Sequence, residues 1–195
     1  PINLVIEMLN TLPLDIWRDP TLIWLDPAVG IGNFPIIIYL KLMEGLKNPI
    51  ENVKYPEKMK NIDISTEEKC RKHILEIMIH MIDISDKNIY ILNKILCGDI
   101  YNLNIFKGSF IKDDDFDYYE TSNIYDVNLG NPPYNKGGIK SKNTLKVQKD
   151  QKGYETIWPK FVERSYELLK ADGYLLFINP ASWIGLKSYN GELLT

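Results

Sequence analysis

Asn131-Pro132-Pro133-Tyr134 gathers hydrogen-bond acceptors, a stiffened backbone and an aromatic ring into four consecutive residues. The Asn131 carboxamide oxygen and the Pro132 carbonyl can take the two hydrogens of one amine, while Tyr134 can stack on the flat ring that carries it. An amine on an aromatic ring is a poor nucleophile because its lone pair is delocalised. Two acceptors that bend its hydrogens out of plane localise that pair and aim it, and the prolines set the geometry before a substrate arrives. Upstream, Asp26-Pro27-Ala28-Val29-Gly30-Ile31-Gly32-Asn33-Phe34 follows an apolar run. Its glycines let the backbone turn sharply against a ligand, but a dinucleotide fingerprint wants a third glycine where Pro35 stands. Asp26 would repel a pyrophosphate, yet it could accept a hydrogen bond from a cationic amine such as that of S-adenosylmethionine.

Alternating strand and helix patterns supply the elements that must hold these residues. Leu4, Val5, Met8 and Leu9 fit a short amphipathic helix within Pro1 to Leu12. Leu22 to Ala28 reads as a first strand and Asn33 to Leu46 as a helix that Asn33 can cap, with Pro35 in its first turn. Asn48 to Ile62 reads as an insertion. Ser65 with Glu68 forms a capping box for a helix to about Met78, and a second strand over Ile79 to Ile84 carries Asp83 at its end. Lys87 to Lys94 fits a helix, Ile95 to Asp99 a third strand, and Tyr125 to Leu129 a fourth, buried and closed by Gly130. A helical face of Trp158, Phe161, Val162, Tyr166 and Leu169 spans Tyr154 to Ala171, and Gly173 to Asn179 is a fifth strand. This order predicts an α/β fold with a parallel, doubly wound sheet, whose ligands bind at the carboxyl ends of the strands. Asn131 falls at such an end.

The bulk numbers exclude several classes. A chain of 195 residues with 45% hydrophobic content can bury a real core as one domain. Its longest apolar stretch, Phe34 to Leu42, is broken by Lys41 and falls short of the roughly 20 residues of a membrane span. Nothing reads as a secretory signal. Cys70 and Cys97 lack metal-ligand spacing and read as buried free thiols of a reducing, intracellular setting. His73 and His80, with no carboxylate in register, are assigned to packing, and no metal is expected. The formal charge of -3 gives no global basic footprint, but Lys136, Lys140, Lys142, Lys146, Lys149 and Lys152 crowd the segment after Tyr134, opposed only by Asp150. That segment is either a solvated loop or a phosphate-attracting one. The acidic run Asp113 to Asp115 with Asp117 and Glu120 reads as a solvated loop.

The Asp-Pro-Ala-Val-Gly-Ile-Gly-Asn-Phe run followed by Asn-Pro-Pro-Tyr resembles the amino-methyltransferases of restriction-modification systems that make N6-methyladenine. The motif order, with Leu4 to Leu9 ahead, resembles their gamma arrangement. The resemblance implies a Rossmann-like class I methyltransferase domain over residues 1–195, with five of seven strands, truncated at the C-terminus and without the target-recognition region. The remainder of a longer chain would carry that region. It implies S-adenosylmethionine as cofactor, with Asp26 on its amine and Pro27, Ala28, Gly30, Gly32, Asn33 and Phe34 around its methionine end. Asp83 resembles the ribose-binding acid, although it follows the glycines later than usual and Asp63 competes for the role. Asp99 resembles the acceptor of the cofactor's adenine amine. Asn131, Pro132, Pro133 and Tyr134 would carry catalysis on DNA. Trp183, after Asn179-Pro180-Ala181-Ser182, would line the target pocket or pack in the core, with Lys136 and Lys140 on phosphates.

Other readings stay open at this point. Protein-glutamine and ribosomal RNA methyltransferases use the same loop, and cytosine N4 offers the same chemistry. A non-catalytic relic that only binds a partner is a further possibility. The abundance of Ile, Asn and Lys hints at an AT-rich genome, such as that of a large DNA virus or a parasite.

Overall fold

The computed structural model describes residues 2–51, 62–111, 124–136 and 156–181. In chain order these form α1 (Ile2–Leu9), a 3-10 turn (Leu14–Trp17), β1 (Trp24–Asp26), α2 (Asn33–Gly45), α3 (Glu67–His73) continued by a π turn (Ile74–Met78), and β2 (Ile79–Asp83). Then come α4 (Asp86–Ile95), β3 (Asn104–Lys107), β4 (Tyr125–Gly130), α5 (Trp158–Leu168) and β5 (Leu169–Phe177).

The five strands make one sheet in the order β3-β2-β1-β4-β5, every pair parallel. Trp24 is in register with Ile79 on one side and Val127 on the other. The strand order therefore reverses between β1 and β4, which opens a crevice at their carboxyl ends. That is the doubly wound architecture expected.

β1 is buried along its whole length, because both sheet faces are covered. On one face Trp24, Met81, Val127 and Leu129 pack with Val5 and Leu9 of α1 and Ile38 and Leu42 of α2. On the other, Leu25, Ile82 and Tyr125 pack with Phe161 and Leu168 of α5. Each fully buried Leu or Ile contributes about 1.5–3 kcal/mol. Trp17 stacks on Trp24 with ring centroids 4.8 Å apart, fixing the entry to β1.

Several local boundaries differ from expectation. The N-cap of α2 is Gly32, at φ 93°, and not Asn33, so the helix starts from backbone geometry without a side-chain cap. Thr66, not Ser65, caps α3 by accepting the Lys69 N–H, because Ser65 is drawn back to the Asp63 carboxylate. Ile95 to Asp99 is not a strand. α4 runs through Ile95 and ends with Cys97 in the left-handed conformation and the Gly98 N–H on the Asn93 carbonyl, a helix-terminating turn in which Cys97 takes the place usually held by glycine and is therefore exposed, whereas Cys70 alone of the two cysteines is buried as expected. The third strand is instead Asn104–Lys107.

α5 stops at Leu168, three residues short of the expected end. Leu169 pairs opposite Tyr125, and the strand bulges before Tyr174 resumes opposite Val127. Asp172, at φ 64°, makes that bulge possible, and Lys170 closes on the Asp126 carboxylate at 2.7 and 2.9 Å. The histidines pack as expected. His73 Nε2 donates to the Pro20 carbonyl at 2.7 Å, and the His80 ring meets Tyr125 edge-on. Burial lowers the pKa of both. Among the described residues no helix is long and apolar enough to cross a membrane.

Candidate active site

The glycine turn and the Asn131 loop stand side by side at one edge of the sheet. β1 ends on Asp26 and β4 on Gly130, and these parallel neighbours run in register through Leu25 and Asn128.

Asp26 is 2% exposed. Its Oδ1 accepts the Ala28 N–H at 3.1 Å, and its Oδ2 is buried with no partner among the described residues. Burial pushes its pKa up to about 7, the Asp83 charge adds to the rise, and the Ala28 hydrogen bond opposes it. A buried acceptor without a donor is costly, and a carboxylate in that position is completed best by a cation.

Asp83 closes the turn from the adjacent strand. Its Oδ2 accepts the Gly30 N–H at 2.8 Å, while its Oδ1 accepts from the Ser85 N–H at 2.8 Å and the Asn88 side chain at 3.1 Å. Ser85 caps α4 by accepting the Asn88 N–H. The backbone around the turn is held as well, since the Val29 N–H donates to the Ile82 carbonyl at 3.0 Å. Gly30, at φ 57°, adopts the conformation that glycine takes without steric cost. Pro27 and Phe34 are buried beneath the turn, Ala28 is half-buried, and Asn33 is exposed on the first turn of α2.

Asp83 and Asp63, the two candidates for the ribose-binding acid, stand in different places. Asp63 faces solvent ahead of α3, where Lys69 and Ser65 engage its carboxylate and hold its pKa well below the usual range. Its hydrogen bonds run to Ser65 and Lys69, whereas the Gly30 N–H is bonded to Asp83. Asp99 is not brought to this edge either. It lies in the turn between α4 and β3, exposed and paired with Lys94 at 2.8 Å. The residues that follow it bond to Glu68 and Glu76, which precede β2, so Asp99 sits toward the opposite, amino edge of the sheet. The reason is the extension of α4 through Ile95, which moves the strand past Asp99.

In the Asn131 loop, Asn131 and Pro133 are exposed, Pro132 is buried and Tyr134 is half-buried. Tyr134 is anchored through its carbonyl, which accepts the Ile157 N–H at 3.0 Å, and Asn135 bridges to Thr156. Lys136 follows on the surface. Lys140, Trp183, the other lysines of the cluster and the acidic run at 113–120 lie outside the described residues. Sequence reading did not assign roles to Ser85 and Asn88, which hold Asp83. Their signal was the serine two residues after the acid at a helix start, a capping pattern. A groove of about 730 Å³ between α2 and α3 is lined by none of the candidate residues.

A family model described as Eco57I restriction-modification methylase matches residues 30–195. The chain belongs to this family. Among curated relatives of this Eco57I-family chain, the type II methyltransferase M.TthHB8I of Thermus thermophilus is 33% identical over 87 residues, covering 39% of the chain and 20% of that protein. Solved structures agree on the fold. A modification subunit assigned to a type I restriction enzyme of Vibrio vulnificus superposes with a TM-score of 0.54 at 21% identity, over 98% of this chain and 35% of that one. A protein from Listeria monocytogenes assigned as a class I S-adenosylmethionine-dependent methyltransferase gives 0.50 at 17% identity, over 95% and 47%. The Eco57I-family chain thus has the Rossmann-like class I methyltransferase fold, and it spans less than half the length of each of these relatives.

Proposed function

We propose that this chain transfers the methyl group of S-adenosylmethionine to the exocyclic N6 amine of adenine in DNA, as the catalytic part of a restriction-modification methyltransferase. The observation that carries the reading is the placement of Asn131 at the tip of β4 directly beside the Asp26 turn at the tip of β1.

The donor side fits a cationic amino acid moiety. Asp26, with one oxygen buried and unpartnered, would accept from the cofactor's ammonium, and the backbone of Ala28 to Gly32 would wrap its methionine end. Asp83 would accept from the ribose hydroxyls, presented on a carboxylate that Gly30, Ser85 and Asn88 already orient. When bound, the cofactor supplies an electrophilic methyl on a sulfonium.

On the acceptor side, Asn131 Oδ1 and the Pro132 carbonyl would hold the two amine hydrogens and turn the nitrogen lone pair toward the donor. Tyr134 would stack on the base. Drawing a paired base out of a duplex costs a few kcal/mol, and one aromatic stack returns about 1–3 kcal/mol. The lysines that follow, Lys136 first, would meet phosphates, with DNA as the partner and any further chain supplying sequence choice.

Incubation with methyl-labelled cofactor and separate DNA, RNA and protein acceptors tests the reading. Label is expected on DNA, as N6-methyladenine after digestion. Label on protein, on RNA or on cytosine N4 would overturn it. Asn131→Ala should lower turnover by roughly 10²–10³-fold while cofactor still binds.

A further inference from the structure

The tip of β4 carries the Asn131 loop, and the residue on which that loop hinges, Gly130, lies against the donor-side acid. A side chain there has no room. A Cβ on Gly130 would stand 2.7 Å from Asp26 Oδ1, 3.4 Å from Asp26 Cγ and 3.6 Å from Pro27 Cδ. Real Cβ atoms do not approach so closely, so the bare backbone of β4 rests on the carboxylate itself.

Neither partner in this contact can step aside. Asp26 is buried, its Oδ1 is held by the Ala28 N–H, and Pro27 stiffens the backbone that follows. On the far side, the Gly130 carbonyl accepts the Ile178 N–H at 3.1 Å and Gly130 is in register with Phe177 of β5. Gly130 is thus wedged between β5 and the carboxylate. Its φ of 156° is also one that other residues rarely adopt.

We propose that Gly130 is a positioning residue that joins the two halves of the site, letting the Asp26 carboxylate set the place of the Asn131 loop and coupling donor binding to the target amine. This rests on the function proposed above for Asp26 and Asn131. A shift of the carboxylate is passed through Gly130 Cα to the next residue, Asn131, and the coupling is reciprocal by linkage. Errors of about 1 Å in such placements cost on the order of 10²-fold in rate, so a contact this direct has consequences on both sides.

The test is a double-mutant cycle read in affinity for S-adenosylhomocysteine by calorimetry, on the full 195-residue chain. Gly130→Ala is expected to weaken binding roughly tenfold or more, by forcing the carboxylate off the Ala28 N–H. Because the effect runs through Asp26, the Gly130→Ala, Asp26→Ala double variant should bind no more weakly than Asp26→Ala alone. Independent, additive losses would overturn the proposal. Should Gly130→Ala not fold or Asp26→Ala not bind measurably, amide exchange in ligand-free wild type and Asp26→Ala decides it. Removing the carboxylate should speed exchange at Asn131, Tyr134 and Asn135, and unchanged exchange there overturns the proposal. Failure of the wild-type chain to bind S-adenosylhomocysteine would instead overturn the functional reading beneath it.

Discussion

The Tyr134 hydroxyl faces the Asn131 carboxamide oxygen across 3.4 Å within a single four-residue loop. That distance exceeds the 2.5–3.0 Å of a well-formed O–H···O bond. The hydroxyl therefore shields the acceptor lightly and, under the proposed function, would yield to an incoming amine without a large penalty.

Tyr134→Phe keeps the ring and frees the oxygen, so turnover is expected to stay within about threefold of wild type. Tyr134→Ala would remove the proposed stack, worth about 1–3 kcal/mol, and should weaken target binding accordingly, with cofactor affinity unchanged. Steady-state kinetics on oligonucleotide substrates separate the two. A Phe variant as impaired as the Ala variant would mean that the hydroxyl has a chemical part.

The raised pKa of Asp26 makes a signed statement about pH. An acid whose folded value lies near 7 binds more protons in the native than in the unfolded state between pH 4 and 7. The ligand-free chain should therefore lose stability as pH rises through that window, by up to a few kcal/mol. Cofactor affinity should run the other way, increasing toward pH 7 as Asp26 ionises to meet the ammonium. Thermal melts with and without S-adenosylhomocysteine from pH 5 to 8 should show the stabilisation by ligand growing with pH. In Asp26→Asn both trends should flatten.

In the linear sequence Asp83 and Asp63 compete for the ribose and Asp99 is matched to the cofactor's adenine amine; in the fold Asp83 is the one of the three bonded to the glycine turn. Asp83→Ala removes the partner of the Gly30 N–H and, under the proposed function, a ribose acceptor. It should weaken cofactor binding by roughly the 10–100-fold typical of losing a buried charge-assisted hydrogen bond. Asp63→Asn and Asp99→Asn remove only exposed pairs with Lys69 and Lys94, and should leave affinity within about twofold. Calorimetry on the three variants checks the ranking, and an Asp99 effect comparable to that of Asp83 would contradict the placement of α4 and β3.

The core offers a stability prediction of its own. Leu42 of α2 is fully buried in the cluster that joins α1, α2 and β1. Leu42→Ala should cost about 2–5 kcal/mol, measured by urea unfolding, and lower the midpoint without changing the cofactor contacts.

Much of this was legible in the residue order. Gly, Pro and short polar residues act locally, so the glycine turn, the proline-stiffened loop and the first, second and fourth strands follow from neighbours in the chain. Asp83 at the end of an apolar strand was visible for the same reason. The end of α4 was not. Cys97 occupies a left-handed position that composition would have reserved for glycine, and Ile95 reads equally well as strand or as the last turn of a helix. Asp99 was displaced by that ambiguity alone.

The sequence by itself determined which chemical groups are present and that Asp26, Asp83 and Asn131 sit at strand ends, because periodicity and turn chemistry are local properties. Only the tertiary structure decided which strand ends are neighbours. Parallel pairing of β1 with β4, distant in the chain, sets Asp26 against Gly130, the residue before Asn131, and parallel pairing with β2 sets Asp83 on the Gly30 N–H. Those juxtapositions come from burying both faces of one sheet, a free energy that belongs to the whole fold and that no short stretch of residues contains.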